Sequence, residues 1–491
     1  MAELLDDVGQ LITNIMQRLR EQPADRPGLE SDLRVVRTRL DEPLRVAIAG
    51  RVKAGKSTLL NALVGEQLAP TDAGECTRIV TWYQHGPTYR VTLELRDGSS
   101  QAAPFTRQSG AIEIDLGGLS ADRINRIVVE WPSKRLADIT LIDTPGVSSL
   151  NADVSARTMS FLTPDDDRPV EADAVLYLMR HMHADDLSFL ESFHDDELTH
   201  ASPINAIGLL SRADEIGVGR PNAMRAAERI AERYRSDPKL RRLCQTVRPM
   251  CGLLAETATT LTEDEYRALE RLAAVDRKKV EALMLSADRF AGDQPGCDLT
   301  PLTRRHLLDR FGLFGIRTAL PLIRQGRATS TRHLAQVLEA RSGIMELRDD
   351  LLDRFATRRD VLRARSALAS ISRLLATDPQ LDGEFMPEVE RIRSGAHAMA
   401  ELRLLNDYRR GLLDFDNNGA EVERLLGVAG TSTTDRLGLT SDANAEIVRG
   451  ELLAAIDRWR RRGEHPLATR DVANAAAVLV RTCEGALAGL Q

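Results

Sequence analysis

The stretch GRVKAGKS at residues 50–57 sets Gly50, Gly55, Lys56 and Ser57 in the spacing Gly-x4-Gly-Lys-Ser, and holds two of the chain's six lysines. These residue types suit a polyphosphate. Phosphate oxygens need several donors in a concave shape, and glycines let backbone N–H groups turn inward at a helix N-terminus. Lys56 is placed to bridge the β- and γ-phosphates, and Ser57 to offer its hydroxyl to Mg²⁺. Ala54 and Thr58 complete the loop residues expected at the ligand. A chance match on a surface loop is the bland alternative; a flanking strand and helix argue against it.

Two later motifs address which nucleotide. Asp143-Thr144-Pro145-Gly146 ends an apolar run, ITLID. Asp143 at a strand end can hold Mg²⁺ through water, and the Gly146 N–H can meet the γ-phosphate. Ser211-Arg212-Ala213-Asp214 ends a second run, INAIGLL. A carboxylate at Asp214 can accept from guanine N1–H and the N2 amino group together; adenine offers neither donor there. Guanine is therefore the expected base, as GTP or GDP. Each motif alone reads equally as a turn or a solvated acid, so order and spacing carry the argument. Met250-Cys251-Gly252 adds a backbone N–H at Cys251 for guanine O6. Thr77, in the polar stretch APTDAGECT, is the candidate switch threonine, its hydroxyl completing Mg²⁺ coordination and its carbonyl orienting water.

These motifs need a scaffold. LRVAIAG (44–50), RINRIVVEW (123–131), ADITLID (137–143), ADAVLYLM (172–179) and INAIGLLS (204–211) read as strands separated by helical stretches, and TYRVTLELRDGSS as a hairpin turning at Asp97-Gly98. The alternation predicts an α/β fold: a doubly wound, mostly parallel sheet at about 43–328. Residues 3–20 carry an amphipathic stripe from Leu4 to Leu19, and 1–42 read as N-terminal helices. After 328 strands disappear. The apolar spacing over 331–375 predicts one helix about 68 Å long, a rod. GVAGTSTTDRLGLTSD (427–442) reads as a loop, and further helices fill 329–491 as a stalk that the N-terminal helix packs against.

Composition narrows the class. A net charge of -7 argues against a general nucleic-acid binder. No apolar run approaches the ~20 residues that span a bilayer, the acidic N-terminus is not a secretory signal, and five scattered cysteines form no pair. A cytosolic protein with reduced thiols is expected.

The set GRVKAGKS, Thr77, DTPG and SRAD, with an N-terminal helix and a long helical tail, resembles the bacterial dynamin-like GTPases. The resemblance implies Mg²⁺-dependent GTP hydrolysis, a homodimer or higher oligomer through the GTPase domains, a possible related dynamin-like partner, and fission or fusion of membranes from the inner face of the plasma membrane. The sequence departs from the family at Ser211 and Arg212, which replace the usual Asn/Thr-Lys; Arg212 can lay its guanidinium over a base. Val147 follows DTPG where a water-orienting Gln is absent. Lys53 stands where eukaryotic dynamins carry a serine beside a monovalent cation, so its ammonium is read as a substitute for that cation, acting on charge between the β- and γ-phosphates; a solvent-facing lysine is the alternative.

A rod also needs a tip. RWRRRGEHPL (458–467) surrounds Trp459 with Arg458, Arg460, Arg461 and Arg462, a pattern suited to anionic membrane lipids. The same arginines suit a helix C-terminus. TDPQLDGEFMPE (377–388) is the competing turn. Two rival readings are a nucleotide-switched scaffold that never deforms lipid and a P-loop ATPase with a coiled rod.

Overall fold

The computed structural model describes residues 2–21, 28–69, 79–108, 111–145, 172–182, 186–188, 190–191, 205–292, 298–351 and 358–490. The parallel half of its sheet is built on β1 (Leu44–Gly50), apolar but for Arg45 near its start, as a strand covered on both faces must be. Parallel β8 (Ile139–Asp143) and β9 (Ala174–Met179) flank it, and β10 (Ala206–Leu210) and β11 (Thr246–Pro249) extend the parallel half. On the other side β2 (Thr81–His85) runs antiparallel to β8, and β7 (Ile124–Trp131), β3 (Arg90–Leu95) and β4 (Ser100–Ala102) complete the order β11-β10-β9-β1-β8-β2-β7-β3-β4. β5 (Phe105–Gln108) and β6 (Ala111–Ile114) form a separate hairpin. The sheet is thus mixed, with its parallel part around β1. β2 was not anticipated, although its Thr-Trp-Tyr core is strand-forming.

Side chains alternate as the pleat demands. Val46 and Ile48 face one layer with Leu59 and Leu60, whereas Ala47 and Ala49 face the other with Val175 and Tyr177. The helices begin with α1 (Ala2–Glu21), α2 (Leu29–Arg39), α3 (Lys56–Val64), α4 (Ala223–Ser236), α5 (Pro238–Leu243), α6 (Gly252–Thr260), α7 (Glu263–Ala274), α8 (Arg277–Leu283), α9 (Ala287–Ala291) and α10 (Pro301–Arg324). α11 (Thr331–Ala340), α12 (Ile344–Asp349), α13 (Arg359–Ala376), α14 (Pro379–Gly395), α15 (His397–Arg409), α16 (Gly419–Leu425), α17 (Thr433–Leu437), α18 (Ala445–Gly463) and α19 (Arg470–Ala488) follow.

Residues 331–375 are not one helix. The chain turns at Gly343, whose φ of 83° only glycine adopts readily, and an added Cβ there would lie 2.4 Å from the Pro249 carbonyl. The apolar spacing is real, but it serves different cores. Leu334 and Leu338 pack among α6, α7 and α10, and Ile344 and Leu347 join the sheet layer. α13 packs instead with α1, α2 and α14 in a helical bundle. The stretch 427–442 is likewise not all loop, since Ser432 accepts from the Asp435 N–H and opens α17.

Bundle and sheet meet through arginines. Arg409 is buried, donating from Nε to Glu423 at 2.8 Å and from Nη1 to the Cys244 carbonyl at 3.1 Å. Arg241 shares Glu423, and Arg248 on β11 forks onto Asp350 at 2.8 and 3.1 Å. Arg409 and Arg241 cross between bundle and sheet, whereas Arg248 ties α12 to the sheet edge.

Candidate nucleotide site

β1 delivers its last residue, Gly50, beside β9, where an added Cβ would meet the Leu178 carbonyl at 2.5 Å. The loop then turns through Lys53 (φ 63°) and Gly55 (φ 100°) into α3. Nothing lies within 4 Å of where a Gly55 side chain would begin, so the concavity is open. Lys56 Nζ folds back onto the carbonyls of Gly50 and Arg51 at 3.2 and 3.4 Å. Burial lowers its pKa, while the charge of Asp143 acts the other way.

Asp143 ends β8 opposite this loop. Ser57 Oγ donates to its Oδ2 at 3.2 Å, and the buried Oδ1 has no partner among the described residues. Burial pushes the carboxyl up to about 6, although Lys56 and Ser57 both oppose the shift. An orphaned buried carboxylate oxygen beside a hydroxyl is an oxygen donor set of the kind a hard divalent cation takes, so the residues present fit Mg²⁺. Thr144 is fixed next to it, Oγ1 donating to the Ile48 carbonyl at 2.9 Å.

The second acidic motif lies two strands from β1, at the end of β10. Ser211 continues from β10, its N–H bonded to the Met179 carbonyl at 2.8 Å. Asp214 follows on a one-turn 3₁₀ segment, where burial raises its pKa and the Cys251 thiol donates to it. Arg212, left-handed at φ 51°, donates to Glu215 at 2.6 Å and to the Lys53 carbonyl at 3.1 Å. Its guanidinium thereby joins the glycine loop after β1 to the turn after β10. The Lys53 side chain is exposed.

One expectation fails here. The Cys251 N–H is not available to guanine O6, because it donates to the Ser342 carbonyl at 2.8 Å. The break at Gly343 brings that carbonyl in, and Cys251 acts through its thiol instead. Thr77 and Gly146 lie outside the described residues. Glu215 and Ser342 were missed; Glu215 had a signal in its closeness to Asp214, whereas Ser342 had none in the sequence.

A second expectation fails in the bundle. Trp459 is 1% exposed and packs edge-to-face on Phe415. Arg458 pairs with Glu421 and Arg462 with Asp416, both at 2.7 Å, while Arg460 pairs with Glu484 and Arg461 with Asp457. The indole is core, and four local acids offset the four arginines. The competing turn is packed as well, since Leu381 and Phe385 are buried. No helix among the described residues is long and apolar enough to cross a membrane.

A family model described as the dynamin family matches residues 46–196, the span from β1 past β9. The isoniazid-induced protein IniC of Mycobacterium tuberculosis H37Rv is 40% identical over 488 residues, covering 98% of each chain. This chain belongs to the dynamin family. A bacterial dynamin-like protein of Nostoc punctiforme is 34% identical over 119 residues, 22% of this chain and 17% of that one. IniA of M. tuberculosis H37Rv is 32% identical over 158 residues, 31% of this chain and 24% of that one. A dynamin-family GTPase domain implies guanine-nucleotide binding, and the loop, Asp143 and Asp214 lie at or just past the ends of β1, β8 and β10 of one sheet.

Proposed function

We propose that the protein hydrolyses GTP with Mg²⁺ and uses the cycle to pair its GTPase domains and reshape a bacterial inner membrane, by fission or fusion. The observation that carries the nucleotide half is the unpartnered Oδ1 of Asp143 beside Ser57, at the mouth of an open glycine loop. In this reading Lys56 exchanges the carbonyls of Gly50 and Arg51 for phosphate oxygens. Ser57 and Asp143 hold the metal, directly or through water, with Thr77 completing the set. The metal, once bound, neutralises charge on the transferring phosphoryl group. Asp214 accepts from the guanine edge, the Ser211–Arg212 turn frames the base, and the Gly146 N–H serves the γ-phosphate. Lys53 supplies a positive charge near the phosphates in place of a monovalent cation.

The proposed division is an N-terminal neck at 1–42, a GTPase module from 43 and a helical module toward the C-terminus. Helices α11 and α12 belong with the GTPase side by their packing. In this reading the arrangement is bivalent, with nucleotide-dependent pairing at one end and lipid contact at the turn after α18, through residues beyond the paired arginines and the buried Trp459. There Leu467 is 86% exposed. The packing of Trp459 favours a second reading, a nucleotide-switched scaffold that recruits partner proteins without deforming lipid. Flotation with anionic liposomes, with and without a non-hydrolysable GTP analogue, separates the two: a scaffold stays in the soluble fraction in both states.

A further inference from the structure

The loop following Asp214 is held in a conformation its sequence does not favour. Gly217, Val218 and Gly219 are all left-handed, with φ of 67°, 62° and 64°. Glycine accepts this freely, but a β-branched residue resists it through clash of its branches with the backbone. Val218 gains nothing from packing, being 73% exposed. Some other contact must hold the turn.

That contact is Arg317, on α10. Its Nη1 donates to the carbonyls of Val218 (2.8 Å) and Gly219 (2.7 Å), and its Nη2 to the carbonyl of Met284. Consecutive left-handed residues turn their carbonyls toward one side; Nη1 serves both, and the other arm of the fork, Nη2, ties the turn to the end of α8. No carboxylate pairs with Arg317 among the described residues, so carbonyl dipoles alone meet its charge. Burial, and then the charge of Arg220, lowers its pKa.

The helix is shaped for this contact. α10 breaks at Gly312 (φ 60°, ψ 175°), and a Cβ there would lie 3.8 Å from Asp214 Oδ2 and 3.5 Å from Leu253. Just past the break, Leu313 and Phe314 seat against Gly219, each 3.4 Å from where its Cβ would stand. The same kink that carries the helix past the Asp214 carboxylate thus brings Arg317 to the loop behind it.

We propose that Arg317 is a positioning residue for guanine recognition: it clamps the strained turn 217–219 and so fixes the Asp214 carboxylate that faces the base. The proposal rests on the reading of Asp214 as the guanine acceptor. It concerns retention of the base, not bond cleavage.

The test uses the full chain and a fluorescent GDP whose dissociation is followed by stopped flow. R317A is expected to release it about tenfold faster, equivalent to about 1.4 kcal/mol. R317K, a single donor head in place of the fork, is expected to fall between. Adding V218G to R317A removes the strain and is expected to restore most of the lost residence time, which loss of a merely structural arginine would not show. Wild-type release by R317A, or no recovery in the double variant, overturns the proposal. Should R317A not fold, V218G with Arg317 intact and R317K carry the test: unchanged release in V218G with faster release in R317K supports the clamp, and unchanged release in both overturns it. D214N separates the underlying reading: it is expected to trade guanine for xanthine nucleotides, and intact guanine preference in D214N removes the reading itself.

Discussion

Arg212 Nη2 donates to the carbonyl of Lys53 at 3.1 Å, and both residues are left-handed, at φ 51° and 63°. A non-glycine residue in that region costs on the order of 1 kcal/mol, so two facing each other across a site mark a joint between its halves. R212A is expected to weaken binding of both GDP and GTP about tenfold, since it frees the Lys53 turn as well as the base turn. Titration with a fluorescent nucleotide checks this, and equal affinity for wild type and variant would show the two halves to be independent.

The exposed Lys53 ammonium gives a prediction about salt. Hydrolysis by the wild type is expected at the same rate in potassium, sodium and choline chloride. A part that neutralises developing charge is worth roughly 10³-fold in other GTPases, and K53A is expected to lose a comparable share of its turnover. Strong potassium dependence of the wild type would defeat the assignment.

Gly343 sets the path from the GTPase module to the bundle. G343A would force a side chain into the left-handed region and 2.4 Å from the Pro249 carbonyl. Destabilisation of about 2–4 kcal/mol is expected from backbone strain and steric overlap combined, read as a lower midpoint in urea. A midpoint equal to wild type would show that the turn at 341–343 can rearrange without cost.

Glu401 in α15 should make the bundle sensitive to acid. Burial raises its pKa, but His397, Arg436 and Thr482 outweigh that and hold it at about 2. The folded value lies below the unfolded one, so its contribution is complete above about pH 4.5 and fades as pH falls toward 2. E401Q is expected to cost on the order of 3 kcal/mol at pH 7, with the gap to wild type closing in acid. Denaturant melts at a series of pH values measure it; a constant gap would contradict the assignment.

Trp459 offers a clean choice. As a core residue it should behave as one: W459A is expected to cost about 3–5 kcal/mol. L467E, at an 86% exposed position, is expected to leave stability unchanged and to reduce flotation with anionic liposomes. Undiminished flotation of L467E would move the lipid contact elsewhere.

Much of the geometry of the candidate site was legible because its parts are local. A glycine loop between an apolar strand and a helix, and two acids at strand ends, carry their signals within a few residues. β1 begins and ends where its apolar run does. What escaped was long-range. The helix over 331–375 looked continuous because three-and-four spacing is the same whichever core it serves, and only the contact with Pro249 reveals why Gly343 must turn. Trp459 misled because arginines around a tryptophan look alike in a membrane tip and at the wet end of a buried helix; Glu421, Asp416 and Glu484 lie too far along the chain to be seen as partners. Arg317 had no signal, being about a hundred residues from the loop it holds.

The backbone passes between sheet and bundle twice, once from α2 into β1 and once from α12 to α13, and Arg409 pins a third point. A body hung on a single strand can swivel in any direction. One held at several separated points has few directions of movement open to it. Small movements at the nucleotide end would therefore emerge at the far end of the bundle as directed sweep rather than as loosened wobble.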